Sequence, residues 1–249
     1  MRVPFEQIMQ IFVVAIYVFK FLRGVPSFGI GVLHAIMGIT SMQEVDLIQT
    51  IFAVAVLVFS VVSHEVSHGY MAQYLGDPTA RFAGRLTMNP LKHIDPIGSF
   101  LVPLITALAP GGFMFGWAKP VPYNPYNLRD QKWGEAKVAL AGPLTNLGIA
   151  FFFAMILRFG GTFFADSMLS IMHLIVLINI ILAVFNLVPI PPLDGSKVFL
   201  TALPLRYRYI GDYLERYSLL LILIFAFFLW GYFLPLVTFL YRVMVGVSL

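Results

Sequence analysis

The sequence predicts an all-α polytopic membrane protein, a bundle of about four to six transmembrane helices with a re-entrant or β-hairpin segment near its functional site. Three observations carry this. Of 249 residues, 59% are hydrophobic and 11% charged, with a mean hydropathy of +0.87; soluble domains run at about 45–50% apolar and about 25% charged. The apolar residues gather into runs of near-span length, separated by short loops rich in proline, glycine and basic residues. Ionisable side chains also fall within one of those runs, where they are costly and point to function.

Taken in order, residues 1–46 read as an N-terminal extension, either an interfacial helix or an additional span. Residues 8–22 are apolar but short of the ~20 residues a span needs, and residues 25–42 are glycine-rich and weakly apolar. Residues 47–249 form the core. Its first span starts near Leu47 and continues as helix to about Leu75, where Gly76-Asp77-Pro78 stops it. Residues 76–97 are polar and turn-rich. Residues 98–110 are apolar but too few to cross as a straight helix, and residues 98–117 are expected to dip in and return. The prolines and aromatics of 113–127 suggest strands or a hairpin. Span two covers about 136–157 and span three about 170–188, ending in a proline-rich break before Asp194-Gly195. Span four starts near Ser218, and Pro235 divides residues 218–247.

Loop charge orients the bundle. Arg81, Arg85 and Lys92, then Lys119, Arg129, Lys132 and Lys137, then Lys197, Arg206, Arg208 and Arg216 fall in three segments on one side. The opposite loop, 158–168, holds only Arg158 and Asp166. Basic loops stay cytoplasmic, so the site is expected near the cytoplasmic face. The net charge of +4 is loop charge of this kind and not a nucleic-acid footprint. There is no cysteine, which removes disulfides and thiolate ligands; a metal would need His, Asp or Glu.

The end of span one carries His64-Glu65-Val66-Ser67-His68. Positions i and i+4 share a helix face, so His64 and His68 can hold one metal ion, and Glu65 can reach a water bound to it as general base. The alternative is a pair of helix-face histidines hydrogen-bonded inside a bundle. A catalytic zinc typically has three protein ligands and one open position. Asp77 and Asp95 sit at a helix stop and a turn, where caps are common. Asp194 follows broken helix and precedes Gly195, which permits a tight turn. It is a candidate third ligand, an N-cap of the short helix that follows, or both.

HEVSH, NPLKHIDPIGS (89–99), FGWAKPVPYNP (115–125), LAGPLTN (140–146) and FNLVPIPPLDG (185–195) resemble, in order and spacing, the site-2 protease family of intramembrane zinc metalloproteases. The resemblance covers roughly residues 47–240 and is to the compact form without PDZ or CBS domain. It implies one Zn2+ held by His64, His68 and Asp194, with Glu65 activating water. It also implies that Asn146, four residues after Gly142, and Asn186 line the site; the loop around His93 matches without an assigned role. Asn146 is expected to donate to the oxyanion or to hold the substrate, and 112–125 to offer a strand edge to unwound substrate. The implied activity is hydrolysis in or near the transmembrane segment of membrane-protein substrates, such as anti-sigma-factor-like bitopic proteins, in a bacterial cell membrane. Two other readings fit parts of the pattern: a transporter or channel using the His/Glu/Asp cluster as an ion path, and an inactive membrane scaffold.

Overall fold

The structure, a computed structural model, describes residues 47–93, 95 and 119–246. The expectations for residues 1–46, for the re-entrant segment 98–117 and for the first half of the 112–125 strand edge lie outside these.

Helix α1 (Leu47–Tyr74) is the first helix among the described residues and matches the first span expected of the core. It ends as the sequence predicts. Gly76 takes φ +108°, Gly76 N–H donates to Gln73 O and Asp77 N–H to Ala72 O. That pair of bonds with a left-handed glycine is the Schellman closure, which satisfies carbonyls the helix end would leave open. The turn matters because Asp77 is fully buried there. Its carboxylate accepts from Thr79 N (3.2 Å), Thr79 Oγ1 (2.5 Å), Asn124 N (2.6 Å) and Asn127 Nδ2 (2.8 Å). Arg129 N–H also donates to Leu75 O (2.8 Å). The segment 119–129 is thereby tied to the end of α1, across from the four-residue α2 (Thr79–Phe82).

Helix α3 (Gly134–Gly160) packs against α1, against α4 (Asp166–Asn186) and against α5 (Asp194–Ala202). It approaches α1 and α4 through a stripe of small or polar residues at four-residue spacing: Gly142, Asn146, Ala150 and Ala154 are all buried. Small side chains on one face let backbones close in, which is how helices pack when water provides no hydrophobic drive between them. The far faces are apolar too. Phe52, Val54 and Phe59 of α1 and Phe151, Phe152 and Phe159 of α3 are exposed, an outward apolar belt that suits lipid. Helix α4 is buried almost continuously from Val176 to Asn186, as befits the most central span.

Three helices are long and apolar enough to cross a membrane among the described residues: α1, α3 with its short extension to Phe163, and α4. The C-terminal region is broken differently from the expectation. Helices α6 (Arg208–Arg216) and α7 (Ser218–Ile224) lead into a π-helical turn at Phe225–Leu229 and a 3-10 turn at Trp230–Phe233; α8 (Leu234–Val245) follows. Pro235 stands in the first turn of α8, where its missing N–H has no helical partner to lose. The break therefore lies upstream, where Phe225 and Trp230 pack on Phe185. Among the described residues there is no strand; 119–124 run without helix into a 3-10 turn at Pro125–Asn127.

Candidate metal centre

α1, α3 and the α4–α5 turn bring His64, His68 and Asp194 together. One ligand atom from each lies within 4.8 Å of the others, and all three residues are buried. His64 Nε2 is 3.0 Å and His68 Nε2 3.3 Å from Asp194 Oδ2. Ligands held at ~2.0–2.1 Å around a tetrahedral zinc lie about 3.3 Å apart, so the spacing suits that ion.

The far side of each imidazole decides what the near side can do. His68 Nδ1 is 2.7 Å from the Val138 carbonyl, which only accepts, so Nδ1 carries the proton and Nε2 the lone pair. His64 Nδ1 is 2.5 Å from Asn146 Oδ1. That amide is oriented in turn: its Nδ2 donates to Asn179 Oδ1 (2.8 Å) and Ser60 O (3.3 Å), and Asn179 Nδ2 donates to Ile175 O and Ser60 Oγ (both 2.9 Å). His64 Nδ1 must therefore donate, which frees Nε2. His68 Nε2 is buried without a hydrogen-bond partner, a costly state for a polar atom that a metal ligand resolves. Two neutral imidazoles and one carboxylate are a normal zinc donor set. The residues fit the ion.

Two glycines make the approach possible. A Cβ on Gly142 would come within 2.5 Å of the His64 ring and 2.6 Å of the His68 ring. A Cβ on Gly195 would run into the carbonyls of Leu187 and Val188. Gly195 is therefore not the turn residue expected of it: it lies within α5 and lets that helix start against the end of α4. Nor does Asp194 cap the helix. It is the first residue of α5, Leu193 holds the cap position, and Asp194 turns its carboxylate to the histidines.

Glu65 is buried, and its Oε2 accepts from Val121 N (3.1 Å). It lines a cavity of about 10 Å³ with His68, Val121, Tyr123, Val138, Ala139, Asp194 and Lys197, which is about the space one water requires. A larger cleft of about 940 Å³ shares Tyr123 and Lys197 with it and extends between Gln131–Glu135, α5 and α6.

The remaining sequence candidates fall elsewhere. Asn146 is fully buried with both amide hydrogens committed, so this arrangement leaves it no N–H for an oxyanion. Asn186 closes α4 and donates to Leu182 O (3.0 Å). His93 Nε2 donates to Thr87 O (2.9 Å), and its own carbonyl accepts from Lys119 N (2.7 Å). Neither Asn186 nor His93 lines the cavity. Asp77 and Arg85 are structural: Asp77 ties 119–129 to the end of α1, and Arg85 Nη1 donates to the Lys92 carbonyl. Sequence reasoning missed Ser60, Asn179, Tyr123 and Lys197. An amide at Asn179 inside an otherwise apolar run was the available signal; Lys197 lies one turn beyond Asp194.

The model of peptidase family M50 matches residues 160–229. The chain is 34% identical over 180 residues to "Putative zinc metalloprotease YwhC" of Bacillus subtilis, covering 70% of this chain and 78% of that one. It is 32% identical over 154 residues to "Putative zinc metalloprotease MJ0611" of Methanocaldococcus jannaschii (59% and 72%). It is 30% identical over 148 residues to "Putative zinc metalloprotease Rip2" of Mycolicibacterium smegmatis (58% and 54%). No solved structure matches the chain.

Proposed function

This chain belongs to peptidase family M50, the site-2 protease family, and we propose that it is an intramembrane metalloprotease of the HExxH type that cuts peptide bonds in or beside the transmembrane segments of other membrane proteins. That it is a membrane metalloprotease using Zn2+ follows from the family, its relatives and its apolar helices. The observation that carries the finer reading is the one-water cavity between Glu65 and two of the ligands, in a bundle whose outer faces are apolar.

His64, His68 and Asp194 would hold the zinc. Bound there, zinc supplies Lewis acidity, lowering the pKa of water toward ~7 and polarising a peptide carbonyl. The chain's own groups do the rest. Val121 N–H holds one oxygen of Glu65, which leaves the carboxylate oriented toward the cavity to take a proton from water and pass it to the leaving nitrogen. Asn146 and the Val138 carbonyl hold the two imidazoles by their Nδ1 atoms, so neither ring can rotate or change tautomer without losing a bond.

A helix hides its carbonyls, so the substrate must unwind before it is cut. The large cleft has room for an extended segment, and Tyr123 and Lys197 line both it and the small cavity. Bitopic proteins, of which anti-sigma factors are an example, are the substrate class this implies. The basic segments around 81–92, 119–137 and 197–216 support an active site near the cytoplasmic face of a bacterial membrane.

The test is cleavage of a tagged single-span model protein by the purified chain, beside Glu65→Gln and beside chelator-treated enzyme. The reading expects cleavage that both treatments abolish. Cleavage surviving Glu65→Gln would remove Glu65 as base. No cleavage and no bound zinc would favour an ion path through the same cluster.

A further inference from the structure

The site has a base and three ligands, but the residue expected to meet the oxyanion is spent. Asn146 gives both amide hydrogens to Asn179 and Ser60. The cavity lining narrows the alternatives. Glu65 and Asp194 only accept. His68 uses Nδ1–H on Val138 and keeps Nε2 for metal, and Val121 N–H goes to Glu65. The Val138 and Ala139 amides lie within α3, beyond the first four, where N–H groups serve the helix ladder. Lys197 and Tyr123 are the side-chain donors left.

Lys197 has the better chemistry. Its Nζ stands 5.2 Å from the centre of the Tyr123 ring, close enough for the ring face to hold a cation. None of the ion pairs among the described residues uses it. It follows Asp194 by three residues on α5, so ligand and cation share one helix face at a spacing the helix sets. Gly195 presses that helix onto the α4 end and fixes both. Burial opposes the charge, yet Tyr123, Asp194 and Glu135 outweigh it and hold the ammonium up to about 12, so it stays charged.

We propose that Lys197 is a catalytic residue of this protease: its ammonium donates to the carbonyl oxygen of the scissile bond and stabilises the negative charge that gathers there. The assignment rests on the protease reading above. As the water oxygen bonds to the carbonyl carbon, the C=O π pair moves to the oxygen facing Lys197, and the water proton goes to Glu65. When the C–N bond breaks, the pair returns to remake C=O and the Glu65 proton leaves with the nitrogen. Lys197 keeps its proton throughout. Because it also lines the large cleft, it stands where an extended segment turns a carbonyl into the site.

The test compares wild type, Lys197→Met and Lys197→Arg in zinc content, in kcat and KM on the single-span model protein, and in affinity for a peptidyl phosphinate built on that protein's cleavage sequence. The phosphinate carries the oxyanion charge without reacting. Lys197→Met should retain one zinc per chain, lose ~10²–10³-fold in kcat, the usual effect of removing one oxyanion donor, keep KM within about threefold and bind the phosphinate correspondingly more weakly. Lys197→Arg should recover at least tenfold of the loss. Unchanged kcat with zinc bound, a rise in KM alone, or loss of zinc from Lys197→Met would each overturn the assignment. If the methionine variant does not fold, Lys197→Gln takes its place with the same expected pattern and a smaller loss. A wild type that neither cleaves nor binds the phosphinate would instead overturn the protease reading and this proposal with it.

Discussion

Asp77 and Asp194 are both buried carboxylates at helix junctions, and they do opposite things. At Asp77, burial is overcome by bonds from Thr79, Asn127 and Asn124, and every partner is a donor of the chain itself. At Asp194 the neighbours are two imidazole Nε2 atoms, whose protons have been drawn to the far side by Val138 and Asn146. Neutral Nε2 atoms offer lone pairs and no proton. Three electron-pair donors then face one point without a positive partner between them. A satisfied polar cluster is a joint, whereas one whose remaining atoms all donate electron pairs to one place is a metal site. Burial alone does not separate the two.

The comparison can be broken at three strengths. Gly142→Ala would place a methyl against both imidazoles and should mimic loss of a ligand. We expect zinc affinity to fall beyond ~100-fold, the upper end of what changes outside the ligand set usually give, with cleavage lost and helical content kept. Metal titration with circular dichroism reads both. Asn146→Ala frees the His64 tautomer and strands Asn179 Oδ1, so zinc affinity should fall ~10–100-fold while excess zinc restores part of the cleavage. Unchanged affinity would mean that the amide does not orient the ring. Asp77→Ala should leave zinc affinity alone and cost ~1.5–3 kcal/mol of stability, the usual effect of losing hydrogen bonds to a charged group, read as a lower Tm in detergent.

Asp77 also gives the comparison a pH signature. Its folded pKa lies below the unfolded one, so its stabilisation is present above the unfolded value of ~3.9 and is lost as pH falls through the folded value. The Tm difference between wild type and Asp77→Asn should hold steady from pH 7 to about 5 and shrink below about pH 4. A difference that grows in acid would reverse the sign and remove Asp77 as a charged anchor of the 119–129 segment.

How much of this was legible in the sequence depended on range. His64, Glu65 and His68 sit within five residues of one helix, so spacing alone puts the histidines on one face. The stop at Gly76-Asp77-Pro78 was equally local, but Asp77 is not the cap expected there: Pro78 holds that position, and Asp77 binds the distant 124–127 segment. Asp194 emerged from a short list of carboxylates, but its rival role as N-cap fell only when the carboxylate was seen turned to α1. The role of Asn146 was misjudged because its partners, His64, Ser60 and Asn179, come from two other helices. Gly195 was read from turn grammar, while its actual task is a close approach between helix ends. The division near Pro235 was placed too late, because packing of Phe225 and Trp230 on Phe185 stands at the break and a proline in a first turn breaks nothing. Lys197 and Tyr123 had no local pattern to announce them.

The most direct test of the account is the zinc content of purified wild type, Asp194→Ala and Asp77→Ala, with X-ray absorption to identify the ligand atoms. Wild type should hold one zinc per chain through two imidazole nitrogens and a carboxylate oxygen, Asp77→Ala should hold the same, and Asp194→Ala should lose the ion. Zinc retained equally in all three, or bound without imidazole, would contradict it.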